Sequence, residues 1–469
     1  MTWGSKRWCA RRGLAATVLL WALAAFGLLL LLVAQAGCAG KGGADAAAET
    51  WTEADRALFL ESFEEVWRTV RDRHYDEQLR GVDWEAAKAE LRPRVEQAPS
   101  RDAARLAMNQ LLAKLGESHF AIIPQDAYRA MASARGDGED EAANDRERAA
   151  AGYHGLQIRL RDGEMVVTRV SPGSPGERAG VRAGDVVERI RNNAMADLIE
   201  RLGGIDAGPT RTETLLASVV EDGLNGRSGQ TRGITVRTAG EASREVTIEL
   251  VEAGFEAQTM NLPPMTVRYA DRDLGDGVHY LTFSAFLGPE RVMPWYNGVL
   301  ERLIDAHGEH GALVIDLRGN IGGLMPMING MCGWLVDEAT VMGEMRIRGT
   351  NLRAFANPRA ESFRGPVAVL IDEMSISSAE IMSGGLQDAG RARVFGTRTA
   401  GLALPSQFIR LPNGDGLQFV FADYVRATGQ RLEQDGVTPD VVIQTRPSSG
   451  DPDPVLSAAL AWIAEQRAR

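Results

Sequence analysis

The chain has 469 residues, 44% of them hydrophobic and 25% charged, and a formal net charge of −11. That length exceeds what one core organises, so several domains are expected, and the apolar content is enough to give each a core. Acidity on this scale argues against a nucleic-acid partner, and three cysteines, Cys9, Cys38 and Cys332, exclude a disulfide-built scaffold.

Lys6, Arg7, Arg11 and Arg12 precede an unbroken apolar run from Leu14 to Val33, followed by "AQAGC". A cationic start and an apolar stretch form an export signal. Ala36 and Gly37 ahead of Cys38 resemble the bacterial lipoprotein processing site, although Gln35 stands where that site usually has leucine. The resemblance implies lipidation at Cys38 and a membrane-anchored chain on the periplasmic side of the cell envelope. The apolar run is also long enough to span a bilayer as a retained anchor, and simple secretion is the third alternative. Residues 1–37 are therefore expected to be signal or anchor, and 38–52 a linker.

From Glu53 the spacing of Leu58, Phe59, Phe63, Val66, Trp67 and Val70 predicts helix, and few breakers interrupt the pattern before Leu115. Gly116 reads as a helix stop and "FAII" as a short strand, giving a small helical domain over 53–130. Residues 131–150 are acidic and Ala-rich, as in a linker or a solvated helix. Over 151–255, short strands alternate with Gly and Pro turns. "HGLQI" and "SPGSPGERAGVRAGDVV" resemble a PDZ domain, a small sandwich-like β unit. The amides of Gly155 and Leu156 would then capture a peptide's terminal carboxylate while the peptide joins a strand edge, with an apolar last residue expected. The plainer alternative is a linker domain that binds nothing. From Tyr269, strands alternate with helices, which indicates an α/β layer over 256–447. A C-terminal helix over 448–469 follows. Cys332, in "INGMCGWLV", is expected as a small buried hydrophobe.

"DLRGNIGG", "LIDEMSISSAEIMSGGLQDAGRARVFGTRTAG" and "LEQDGVTPDVVI", preceded by the PDZ-like unit, resemble the carboxy-terminal processing peptidases. This serine peptidase family has a crotonase-like α/β core, and the resemblance runs from about Leu111 to Ile443. It implies that Ser377 is the nucleophile, on a strand-to-helix turn whose helix amides favour developing negative charge. Taken alone, Ser377 and Glu380 spell S-x-x-E, the ordinary capping box of a helix start.

In the better-known branch of that family a lysine 25 residues after the serine is the base. Here that position is Leu402, and no lysine follows Lys114. Arginine stays protonated and cannot replace it. Histidine can, with a pKa near the working pH. Of six histidines, His307 and His310 have metal-compatible spacing but no clear third ligand, so no metal or other cofactor is expected. His279 reads as a strand residue, His154 as part of the PDZ loop and His74 as a helix end. His119 in "GESHF" resembles the corresponding segment of the tricorn-type branch. The resemblance implies a tetrad of Ser377, His119 as base, and Ser118 with Glu433 orienting the site.

For the oxyanion hole the expectation is the amide of Gly322 or Gly323 together with that of Ser378. The tricorn-type preference for basic substrates is not implied, because Ser378 stands where that branch has an acid. The resulting expectation is an envelope-anchored serine endopeptidase, with activity rising through an apparent pKa of about 6 to 7.5. Its partners would be peptides with free carboxy termini and a membrane. An inert peptide-binding protein on the same scaffold is the alternative, and nothing specific favours an apolar-ligand carrier.

Overall fold

A computed structural model describes residues 51–128, 151–203, 209–257, 265–448 and 453–468. The apolar leader, Cys38 and the acidic segment 131–150 lie outside the described residues. Among the described residues no helix is long and apolar enough to cross a membrane.

Three helices, Glu53–Arg73, Trp84–Glu96 and Arg101–Ala113, form at the expected periodicity. Each start is fixed by a side chain. Thr52 and Asp55 make a reciprocal capping box, Asp83 accepts from Ala86 N–H and Ser100 from Ala103 N–H. Phe59, Phe63, Val66, Trp67 and Val70 are buried, whereas Leu58, one position off that stripe, is 42% exposed. "FAII" yields the strand Ala121–Ile123, which pairs antiparallel with Gly416–Val420. That strand pairs in turn with Ser406–Arg410. Leu404, Leu411, Leu417 and Phe419 therefore share one apolar cluster with the helices. Asp415 ties the two regions by charge, accepting both arms of the Arg105 guanidinium at 2.9 Å.

Residues 151–257 carry an antiparallel sheet with strand order Leu156–Arg161, Glu164–Val170, Val186–Ile190, Thr231–Arg237, Arg244–Glu249. Helices Met195–Gly203 and Pro209–Leu224 cover it, and Leu156, Ile158, Val167, Leu216 and Ile234 close its core.

Beyond it lies a six-stranded sheet in the order Tyr269–Asp273, Val278–Phe283, Ala312–Asp316, Val367–Ile371, Arg393–Gly396, Val441–Val442. The first pair is antiparallel and the rest are parallel. Its central strands, "ALVID" and "VAVLI", are buried at every position, as parallel strands covered on both faces must be. Helices Pro289–His307, Met325–Cys332 and Ser378–Asp388 pack on one face, around Phe283, Ile315, Val369 and Ile381. Helix Pro454–Arg467 covers the other through Ala459 and Ile463. Cys332 is fully buried and free, as its sequence context indicates, and burial pushes its thiol pKa far up.

Asp415 has no exposed side-chain surface and also accepts from Gln125 N–H and Asn413 Nδ2. Asp415→Asn should therefore lower stability by about 2–4 kcal/mol, because Arg105 keeps its charge, loses its buried carboxylate and retains only the exposed one of Asp102. The measurement is a fall in the urea midpoint at unchanged slope.

Candidate active site

Two turns meet at the carboxyl ends of adjacent parallel strands. After Ala312–Asp316 the chain makes the turn "LRGNIGG"; after Val367–Ile371 it makes "DEMSIS" and enters the helix Ser378–Asp388. Backbone and side chain lock them together. Ile376 N–H donates to Asn320 O at 2.9 Å, and Ser375 Oγ donates to Leu317 O at 2.8 Å. Asn320 Nδ2 reaches Phe283 O at 2.8 Å on a third strand.

Ser377 sits at the helix N-cap with φ 57° and ψ −113°. A non-glycine residue there carries a local cost on the order of 1–3 kcal/mol, held by its surroundings. Glu380 supplies much of that hold. Its buried carboxylate accepts from the amides of Ser377, Gly401 and Leu402 at 2.8–3.0 Å and from Thr399 Oγ1 at 2.6 Å. Burial pushes the Glu380 pKa up to about 7, against the pull of those donors. The S-x-x-E capping box is thus present, and the same serine faces a cavity. One fact does not exclude the other.

His119 follows the helical segment with φ 62°. Its Nδ1 lies 2.6 Å from Ser118 Oγ, which donates to Glu433 Oε2 at 2.8 Å. With Glu433 ionised, the Ser118 hydroxyl proton points to the carboxylate. His119 must then donate from Nδ1, which leaves Nε2 as the unprotonated nitrogen. Glu433 also accepts from the Ser118 and Ala403 amides and from the Arg211 guanidinium at 3.0 Å. Burial pushes the Glu433 pKa up, with Arg211 and the amide donors opposing. Burial pushes His119 down to about 4, so its imidazole is neutral at neutral pH.

Ser118, His119, Gly322, Gly323, Ser377, Ser378 and Leu402 line one cavity of about 580 Å³. No hydrogen bond joins His119 to Ser377 in this state. The rest of the wall is mostly apolar, including Met265, Leu287, Leu324, Met345 and Ile381, with Ser406, Gln407 and Gln418 as polar members, and among the described residues no Asp, Glu, Lys or Arg side chain lines it. Lys114 is engaged elsewhere, with Glu90 at 2.8 Å.

The two glycines differ. Gly322 packs so closely on the serine turn that a Cβ would fall 2.6 Å from Ser377 Cβ, and its N–H donates to Asn320 Oδ1 at 2.9 Å. That engagement removes Gly322 as an amide donor to the cavity. Gly323 bridges to Phe286, through Phe286 N–H to Gly322 O and Leu324 N–H to Phe286 O, so its own N–H points away from Phe286. Neither that amide nor the Ser378 amide has an acceptor among the described residues. Ser378 Oγ donates to Gly323 O at 2.8 Å, clamping the two segments side by side.

A similar correction applies at the PDZ-like loop. Leu156 N–H donates to His154 Nδ1 at 3.2 Å, so it is not open to a ligand, whereas the Gly155 amide has no acceptor among the described residues. Gly155 at φ 81° admits no side chain, since a Cβ would fall 2.1 Å from Ser174 Cβ. Sequence reasoning also passed over Arg211 and Asn320. Arg211 stands in no motif, and Asn320, though inside "DLRGNIGG", carries no signal of its own there; their roles arise only where distant segments converge. Glu380 was visible as a capping residue, but its contacts with Gly401 and Leu402 were not.

Glu380→Gln should turn one acceptor oxygen into an NH₂ group facing amide N–H donors. The expected outcome is a loss of about 1–3 kcal/mol, read as a lowered urea midpoint.

Residues 278–443 match peptidase family S41, residues 55–113 the tricorn protease C1 domain and residues 166–202 the PDZ domain. The carboxyl-terminal-processing protease of Picosynechococcus sp. is 25% identical over 390 residues, covering 82% of this chain and 83% of that protein. The chloroplastic carboxyl-terminal-processing peptidase 2 of Arabidopsis thaliana is 25% identical over 399 residues, covering 82% and 68%. Among solved structures, the photosystem II D1 C-terminal processing protease aligns with a TM-score of 0.52 at 21% identity, over 84% of this chain and 94% of that one. Mature CPAF aligns with a TM-score of 0.56 at 14% identity, over 88% and 97%. These two structures support the fold: a helical region, a PDZ domain and an α/β peptidase core. Residues 278–443 thus form a peptidase family S41 core, and the chain is similar to carboxyl-terminal-processing proteases over 82% of its length.

Proposed function

We propose that the chain is an envelope-anchored endopeptidase that cuts near peptide carboxy termini, with Ser377 as nucleophile and His119 as general base. The observation that carries this reading is the unbroken hydrogen-bonded line Glu433–Ser118–His119 opening on the cavity that also holds Ser377. His119 Nε2 takes the Ser377 proton as Oγ attacks the scissile carbonyl and then delivers it to the leaving amine, giving an acyl-enzyme that water hydrolyses. Ser118 and Glu433 position the imidazole and stabilise its cation. The amides of Gly323 and Ser378 receive the oxyanion, assisted by the positive end of the helix Ser378–Asp388. The resting separation of His119 and Ser377 closes on substrate binding, as catalytic contacts in unliganded enzymes commonly do. The apolar cavity wall favours an apolar side chain next to the cut, and the PDZ unit holds the substrate tail.

A serine-directed fluorophosphonate should label Ser377, as mapped by mass spectrometry. Absence of labelling, together with intact peptide binding, would favour the inert binding protein. Ser377→Ala and His119→Ala should each lower turnover by a factor on the order of 10⁴ or more, and the double variant should be little worse than either. Lys114→Ala should retain activity. Near-normal turnover in His119→Ala would sink the tetrad.

Activity should rise with pH as the imidazole loses its proton. Burial moves that limb below the ordinary histidine value, toward about 4, and away from the 6 to 7.5 of an exposed ring. The pH profile of kcat/KM measures it, and a limb centred near 6.5 would mean that the ring is solvated in the working enzyme.

Anchoring through Cys38 is the second part of the proposal. Metabolic palmitate should label the wild type and not Cys38→Ala. Membrane attachment of unlabelled protein with its apolar run intact would mean a transmembrane anchor instead.

A further inference from the structure

A second cavity, of about 610 Å³, lies between the PDZ sheet and the peptidase core, with the Gly155 loop on one wall. Six arginines line it: Arg159, Arg169, Arg268, Arg272, Arg291 and Arg318. Three have anionic partners. Arg159 meets Asp372 and Glu221, Arg169 meets Asp316, and Arg318 meets Asp316 and Asp453.

Among the described residues the other three guanidinium groups form no ion pair or hydrogen bond. Arg268 lies 5.1 Å from the Tyr153 ring centroid, Arg272 4.6 Å from Tyr280 and Arg291 4.7 Å from Phe255. An aromatic face attracts a cation through its π-electrons but accepts no hydrogen bonds in the guanidinium plane, so the N–H donors stay available to a ligand. Of the two carboxylates on the wall, Glu221 is taken by His154 and Arg159, which leaves Asp222 against three unmatched cations.

Arg268 is the most enclosed of the three, and burial pushes its pKa below the usual guanidinium range. The fold makes room for it. Gly254, at φ 91°, packs directly on this segment: a Cβ would fall 2.3 Å from Val267 O and 2.8 Å from Arg268 Cγ, so only glycine fits beside it. The guanidinium then reaches Tyr153, two residues before Gly155, whose amide is the open donor of the loop. The core thus supplies a cation to a site otherwise built by the PDZ unit.

We propose that this composite cavity binds an acidic carboxy-terminal tail. The terminal carboxylate sits between the Gly155 amide and Arg268, and Arg272 and Arg291 pair with acidic side chains among the last few residues. The proposal rests on the reading of the chain as a peptidase that holds substrate tails, and it names the tails.

The test uses the full chain carrying Ser377→Ala, which binds without cutting, and fluorescence anisotropy with four dye-labelled peptides. All end in valine; two carry two aspartates upstream and two carry asparagines there, each as free acid and as amide. The acidic free-acid peptide should bind about tenfold or more tighter than its asparagine counterpart, with the gap narrowing as salt rises. Arg268→Gln should weaken both free acids about tenfold and leave the amides unchanged, and Arg268→Lys should recover part of the loss. Arg272→Gln with Arg291→Gln should erase the preference for aspartate. Equal affinity for aspartate and asparagine tails, or an Arg268→Gln loss as large for amides as for acids, would overturn the proposal. Fluorophosphonate labelling of the chain with Ser377 intact is independent of these readings. Its failure sinks the peptidase mechanism and leaves the tail site standing, and the reverse also holds.

Discussion

A carboxylate without solvent is stable as an anion only if the protein supplies its hydrogen bonds, and Glu433 draws them from three separate regions. The Ser118 amide and hydroxyl come from the end of the helical segment, the Ala403 amide from the core and the Arg211 guanidinium from a PDZ helix. Removing any one leaves a buried charge short of partners, which costs several kcal/mol. The regions are thereby held in one arrangement around His119. The strand Ala121–Ile123, paired with Gly416–Val420, fixes the same loop from its other side.

The second constraint is steric. Ser377 adopts a strained backbone, and Gly322 packs against it where no side chain fits. The strain persists because four donors converge on Glu380 and because the two turns share the Asn320, Ser375 and Ser378 hydrogen bonds. Rigid strands buried on both faces carry these turns, so Gly323 and Ser378 keep their amides oriented before any substrate arrives. Such preorganisation is what makes fixed dipoles effective on developing charge.

The two cavities differ in chemistry. The one beside Ser377 is mostly apolar and, among the described residues, lacks Asp, Glu, Lys and Arg on its wall, whereas the one beside Gly155 holds guanidinium groups without an ion pair. A peptide with an apolar stretch and an acidic end would satisfy both, each part in surroundings that reward its own chemistry. Arg211 and Arg159 extend from the PDZ unit to Glu433 and Asp372, so the two cavities share a mechanical frame.

Local pattern determined much of this protein. Helical spacing from Phe59 to Val70, continuous apolar runs in "ALVID" and "VAVLI", and the glycine turns follow from near-neighbour chemistry, and so were legible in the chain. The absence of lysine after Lys114 pointed to a base other than lysine, and the resemblance of "GESHF" and "LEQDGVTPD" to the tricorn-type branch nominated His119, Ser118 and Glu433. Tertiary structure alone decided which amides are open. Gly322 and Leu156 are identical to usable donors in sequence, and only the placement of Asn320 Oδ1 and His154 Nδ1 engages them. It alone also brought Arg211 to Glu433 and left Arg268 without an ion pair among the described residues. The physical reason is range: backbone preference and periodicity act over a few residues, whereas desolvation and hydrogen-bond satisfaction depend on whatever distant segment packs alongside.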